Sequence, residues 1–204
     1  MATAPRARRR RSDGARSREA ILRAAANLAT LDGLEGISIG NLAEHIGMSK
    51  SGLYAHFRSK EQLQLETVET ALEIYNAEVV EPTSAIADPL ERLVALYDRF
   101  LDHVERRVFP GGCFFASVEA EFDTHPGRVK DKIAAIQQKW VAGVEQLIRD
   151  AQAAGSLPRG EDAAQLAFEL DAYGLMGNTS FVLHDDPAYL DRAREAIKRR
   201  LAGV

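Results

Sequence analysis

The stretch Ile39-Gly-Asn-Leu-Ala-Glu-His-Ile-Gly-Met-Ser-Lys-Ser-Gly-Leu-Tyr-Ala-His-Phe-Arg-Ser-Lys-Glu61 decides how this chain is read. Ser38 stands directly before it with a hydroxyl suited to capping a helix, and Ile39, Leu42, Ala43 and Ile46 then fall on one face at helical spacing. Gly47 interrupts that short helix, Ser49 offers a second cap, and Leu53 and Phe57 give the next helix its apolar side. Only Gly47-Met48 separates the two, so the chain must turn sharply. Two short helices joined by a tight glycine-containing turn are the helix-turn-helix arrangement.

Working outward, Ile21, Ala25 and Leu28 repeat at helical spacing before Asp32-Gly33, which predicts a first helix over about residues 17 to 31. Residues 1–16 are Ala, Arg, Pro, Gly and Ser without periodicity and read as a disordered basic arm. Downstream, Ser59 caps a fourth helix with Glu61 in its first turn, and the Glu81-Pro82 step ends it. Longer helices follow. Leu90, Leu93, Tyr97, Phe100, Leu101 and Val104 form one stripe, Pro110-Gly111-Gly112 breaks the chain, and Cys113 to Phe122 gives a short apolar helix. Val129, Ile133, Ile136, Trp140, Val144, Leu147 and Ala151 then repeat in steps of three and four, and residues 162–183 and 188–202 supply two last helices around Asp185-Asp186-Pro187. No segment alternates with period two over a useful length. The expected fold is all-α: a three-helix, homeodomain-like helix-turn-helix domain over residues 17–62, and a helical effector-binding and dimerisation domain over residues 63–204.

Composition narrows the class further. The chain has 204 residues, 46% of them hydrophobic and 27% charged, which is enough apolar material for a buried core. Residues 1–60 carry 11 Lys/Arg against 5 Asp/Glu, and residues 61–204 carry 15 against 25, so a basic end of +6 is joined to an acidic remainder within a total of −4. That asymmetry points to a polyanionic partner for the first part alone. The single cysteine excludes an internal disulfide, and neither a secretory signal nor a membrane-spanning apolar run is apparent, so a cytoplasmic protein without membrane contact is expected. No Gly-rich phosphate loop, nucleophile elbow or metal-ligand spacing appears, so neither catalysis, a cofactor nor a metal is expected.

The quoted stretch closely resembles the DNA-binding signature of the TetR family, and its Leu-Tyr-x-His-Phe-x-x-Lys-Glu ending is specific. The likeness reaches back through Arg18, Ile21, Ala24, Ala25, Leu28, Gly33 and Ser38. It implies a transcriptional regulator that binds a near-palindromic double-stranded operator as a homodimer, typically a repressor released by a small-molecule effector. Phosphate contacts carry over to Tyr54, His56 and Lys60. Lys50, Ser51 and Gly52 suit the end of the recognition helix that approaches the bases, and a mid-helix Gly, which costs about 1 kcal/mol relative to Ala, is explained by close approach to DNA. Ser38 both caps its helix and suits a phosphate. The arginine run fits either a narrow minor groove or general attraction to phosphates.

The C-terminal region says less. The segment Gly111-Gly-Cys-Phe-Phe-Ala-Ser through Phe122-Asp-Thr-His-Pro-Gly resembles the ligand domain of one TetR subgroup, which implies no particular effector. Tyr97, Phe100, Phe114, Phe115, Val118, Trp140 and Tyr173 are the expected lining of an apolar effector pocket, against the plainer reading of core packing. Phe168, Leu175, Tyr189, Ala193, Ile197 and Leu201 continue an apolar stripe through the last two helices and are the expected dimer interface, in a four-helix bundle. Cys113 reads as a small buried residue rather than a redox sensor, and Glu119 and Glu121, two apart on a helix, point to different faces.

Overall fold

In the computed structural model the backbone is described for residues 5–203 and side chains for residues 17–203. Nine α-helices follow one another among them: α1 (Pro5–Asp32), α2 (Ile39–His45), α3 (Lys50–Tyr54), α4 (Lys60–Tyr75), α5 (Pro89–Glu105), α6 (Phe114–Phe122), α7 (Arg128–Ala154), α8 (Ala163–His184) and α9 (Ala188–Leu201). Residues 1–4 of the expected arm lie outside the described residues. From Pro5 onward the backbone instead continues α1, for which Pro at the helix start and a run of Arg, a good helix former, give the local reason.

Local chemistry starts the short helices where the sequence indicates. Ser38 accepts from the Asn41 N–H while the Asn41 side chain accepts from the Ser38 N–H, a reciprocal box, and Ser49 and Ser59 accept from the N–H groups of Gly52 and Gln62. Gly47 takes a left-handed φ of 68° at the turn, which a side chain would strain. Asp88 and Asp162 cap α5 and α8 in the same manner.

The end of α4 differs from the expected simple stop at Pro82. The α-helix closes at Tyr75, a π-helical turn spans Asn76–Val80, and a 3₁₀ turn spans Glu81–Thr83. Pro82 has no N–H to give and its ring crowds the carbonyl four residues back, so the backbone ahead of it widens.

In the small N-terminal domain Ile21, Leu34, Ile37, Leu42, Leu53, Phe57 and Leu63 are buried in one core. Arg18 staples that domain together: its guanidinium grips both oxygens of Glu66, donates to the His56 carbonyl and lies 4.5 Å over the Phe57 ring. The domain is then fastened to the rest through backbone groups. Glu121 on α6 accepts from the backbone N–H groups of Leu34 and Glu35, at 2.7 and 2.8 Å. Gly111 donates its N–H to Thr30 Oγ1 at 3.0 Å, so close that a Cβ there would lie 1.9 Å from the Thr30 carbonyl oxygen. Lys132 and Arg128 of α7 meanwhile pair with Glu69 and Glu61 of α4.

α8 and α9 pack antiparallel at the far end, close enough at Gly177 that a Cβ there would meet Ala193 Cβ at 2.7 Å. This corrects half of the expected dimer face. Ala193, Ile197 and Leu201 are buried inside the protomer, where α9 turns its apolar side onto α8 and α5, and Tyr189 stacks on His184. Phe168 and Leu175 do stand outward, 70% and 47% exposed, in line with exposed Met176 and Leu183 on the same face of α8.

Candidate nucleic-acid interface and interior site

The outer edge of the helix-turn-helix is polar and open. Lys50, Ser51 and Tyr54 on α3 are exposed, Tyr54 by 60%, and Leu53 between them is fully buried, so the helix is held by one face and presents the other. Gly52 sits at the side of that face. A Cβ there would come 3.1 Å from Ser49 Oγ, so the glycine also makes room for the cap that starts α3. Lys50 reaches back beside Gly40 at the start of α2, as Ser38 Oγ does, which brings an ammonium and a hydroxyl together on the exposed side. His56 is half-buried against Phe57. Lys60 stands exposed at the start of α4, with its ammonium 2.7 Å from the Glu35 carboxylate, and the Lys60 hydrogen bond is the main reason that carboxyl is held below its ordinary range. Before Lys60 meets a phosphate it must therefore share or leave Glu35.

The structure also gathers the aromatic residues singled out in the C-terminal domain. Tyr97 and Trp140 meet edge to face at 6.2 Å, and Phe114 and Phe115 at 5.4 Å. Their common centre is a residue of α4 that the pocket reading left out. Tyr75 stands edge-on to Trp140 at 5.6 Å and to Phe115 at 5.8 Å, and contacts Phe100 at 6.5 Å. Val118 is buried one helical turn from Phe114, whereas Tyr173 is half-buried at the edge of the core.

Polar groups lie among these rings. Asp171 on α8 accepts from the Tyr97 hydroxyl at 2.6 Å and the Trp140 indole N–H at 3.0 Å, yet burial outweighs both donors and raises its carboxyl above the ordinary range. Burial and the Asp171 charge push Glu119 on α6 up to about 7. His103 is fully buried beside Tyr75 and Phe109, both ring nitrogens lack partners among the described residues, and burial lowers its pKa to about 4. Cys113 is buried with its thiol raised to about 11, because desolvation outweighs the helix N–H groups, which gives it the character of a packed residue. Asp171 and Glu119 belong to no short motif; only the fold brings them into one another's field, while His103 meets Tyr75 and Phe109. Among the described residues no His, Cys, Asp and Glu group is placed to hold a metal, and no helix is long and apolar enough to cross a membrane.

A capped, turn-linked helix pair with an exposed polar face, carried on a larger helical body with an aromatic interior, defines a one-component DNA-binding regulator. Residues 21–67 match the family model described as bacterial regulatory proteins of the tetR family, and residues 89–197 match that of the tetracyclin repressor-like C-terminal domain. The chain belongs to the TetR family of transcriptional regulators. It is 26% identical over 184 residues to the transcriptional regulator AcuR of Cereibacter sphaeroides, covering 87% of this chain and 82% of that one. A TetR regulator from Chloroflexus aurantiacus shares its fold with a TM-score of 0.84 at 24% identity, over 92% of this chain and 96% of that one. AibR, solved in complex with isovaleryl coenzyme A and operator DNA, is 28% identical with a TM-score of 0.73, over 88% and 96% of the two chains.

Proposed function

We propose that the protein is a cytoplasmic, homodimeric repressor of a near-palindromic operator, released when a small molecule enters the aromatic interior. One observation carries this reading: α4 touches both sites. Lys60 in its first turn stands at the exposed face of the DNA-binding domain, and Tyr75 at its last residue forms the centre of the aromatic cluster. A molecule that displaces Tyr75 moves the helix that carries Lys60. AibR, crystallised with both an organic ligand and operator DNA, supports a paired function of this kind. The coupling required is modest, since about 1 to 3 kcal/mol changes DNA affinity roughly 5- to 150-fold. Gel shifts with the DNA flanking the protein's own gene test the reading; loss of the shifted band on adding a ligand is the expected result, and a footprint without two-fold symmetry counts against it.

Positioning and reading of DNA should separate by residue. Lys60→Ala is expected to weaken binding to all sequences alike and make the slope of log K against log salt shallower by about one unit, whereas Lys50→Ala or Ser51→Ala should change base preference. An unchanged salt slope in Lys60→Ala would mean that Glu35 keeps this ammonium away from phosphate.

The dimer is proposed on the outward stripe of α8. Phe168, Leu175, Met176 and Leu183 form an apolar row that a soluble monomer rarely leaves open, and a second copy related by two-fold symmetry covers it with itself. Leu175→Glu is expected to cost the dimer about 2 kcal/mol, or roughly thirtyfold in its dissociation constant. Sedimentation showing an unaltered dimer would move the interface elsewhere.

A further inference from the structure

The turn between α1 and α2 is held from both sides. From one side Glu121, in the last turn of α6, reaches in with both carboxylate oxygens: the Leu34 N–H donates to Oε2 at 2.7 Å and the Glu35 N–H to Oε1 at 2.8 Å. These amides are its hydrogen-bond partners among the described residues, so its charge is met by two backbone dipoles. Gly33 makes the approach possible, because a Cβ there would lie 2.7 Å from Glu121 Oε1. From the other side α4 holds the same two residues. Lys60 Nζ donates to the Glu35 carbonyl and, at 2.7 Å, to Glu35 Oε1, while Gln64 Nε2 donates to the Leu34 carbonyl at 3.0 Å and to Glu35 Oε2 at 2.9 Å.

We propose that Glu121 is a positioning residue for DNA binding, which acts on Lys60 through Glu35. An ammonium has three N–H bonds. Two of those on Lys60 go to Glu35, which leaves one for a phosphate and fixes where it points, so Lys60 meets DNA while still sharing Glu35. A long free side chain loses rotamer freedom when it meets a phosphate, and one already held loses little. Glu35 can hold Lys60 in place only if its own backbone is fixed, and its N–H is fixed by Glu121. The proposal rests on the reading of Lys60 as a phosphate contact and adds the residue that aims it. α6 also bears Phe115 in its first turn, edge-on to Tyr75, so one short helix spans from the aromatic cluster to the turn that aims Lys60. A carboxylate that only fastened the two domains together would do so wherever Lys60 pointed. The distinction therefore lies in whether the effect of Glu121 on DNA binding needs Lys60.

Fluorescence anisotropy of the full chain with a labelled mixed-sequence duplex suffices as a test, because contacts to phosphate do not read sequence. Lys60→Ala should weaken binding and flatten the slope of log K against log salt by about one unit. Glu121→Gln keeps the shape of the side chain but sets its NH2 group against one of the backbone N–H groups. It is expected to weaken binding about fivefold at an unchanged salt slope, and by less than about twofold once Lys60 is alanine. Thr30→Val, which cuts the other junction of this domain at Gly111, is the control: its effect, whatever its size, should be the same with and without Lys60. Hydrogen exchange over residues 33–36 should quicken in Glu121→Gln while α2 and α3 exchange as in the parent, which also shows that the variant domain is folded.

The inference is overturned if Glu121→Gln leaves DNA affinity unchanged, if it weakens binding equally with and without Lys60, if exchange over residues 33–36 stays as in the parent, or if α2 and α3 quicken along with it. Failure of the underlying reading looks different. Lys60→Ala then leaves both affinity and salt slope as in the parent, whatever Glu121 does. A loss of equal size in both backgrounds, with the Lys60 slope change intact, keeps Lys60 on phosphate and removes Glu121 from its positioning.

Discussion

Gly111→Ala is expected to lower the stability of the protein by about 3 kcal/mol, the upper part of the range for an overpacked core. The added methyl would lie 1.9 Å from the Thr30 carbonyl oxygen and 2.6 Å from its carbon, and backbone cannot rotate aside as a flexible side chain does. Nor can the end of α1 retreat freely, because Glu121 holds the next amides, Leu34 and Glu35, from the same side. Gly143→Ala is the matched control. Gly143 is exposed within α7 with nothing within 4 Å of its would-be Cβ, so alanine there should add about 1 kcal/mol by raising helix propensity. Urea unfolding at constant m-value measures both changes. A Gly111→Ala protein within about 0.5 kcal/mol of the parent would show that this junction relaxes at little cost.

Acid should weaken the fold through His103. Its ring is fully buried, with Arg106 and Glu78 paired nearby, and desolvation holds its pKa at about 4 against 6.5 when unfolded. Between those values the unfolded chain takes up a proton that the folded one refuses, so stability falls as pH falls through this window and is whole above it. The full difference amounts to about 3 kcal/mol. His103→Leu removes the group and the two unpartnered ring nitrogens, so it should be neutral or stabilising at pH 7 and should retain more stability than the parent at about pH 4.5. Carboxylates away from the ring, such as Glu35, also lose favourable partners in acid, but they do so in both proteins, so the difference between the two curves reports the histidine together with its neighbour Glu78. Parallel curves would mean that the ring is reached by solvent or a partner.

What the sequence disclosed follows from the range of the forces involved. Caps and turns are local, so Ser38, Ser49, Ser59 and Gly47 could be placed from neighbours within a few positions, and the buried side of the small domain followed from helical spacing at Leu42, Leu53 and Phe57. The interior aromatics were legible as types but not as an arrangement. Tyr75 joins Phe115 and Trp140 across long stretches of chain, and no spacing rule links it to Asp171 or Glu119. Arg18 was visible as part of a pattern, while its grip on Glu66 and Phe57 depends on how α1 crosses α4. On α9 the periodicity marks one apolar face without saying which neighbour it meets, so a subunit interface and the protomer's own core look alike in sequence; Ala193, Ile197 and Leu201 belong to the core. The start of α1 is silent in sequence because a run of arginines has good helix propensity but no apolar rhythm to announce it.

The burial of Cys113 makes the protein a convenient object for labelling. Its only native thiol is enclosed and ionises at about 11, so reagents that attack thiolates near neutral pH should pass it by. A cysteine introduced at exposed Ser51 would then be the one position to take a spin label, once in each subunit of a dimer. In the proposed dimer, the separation of the two recognition helices becomes a distance measurable in solution, with and without a candidate ligand, without first removing any residue from the core.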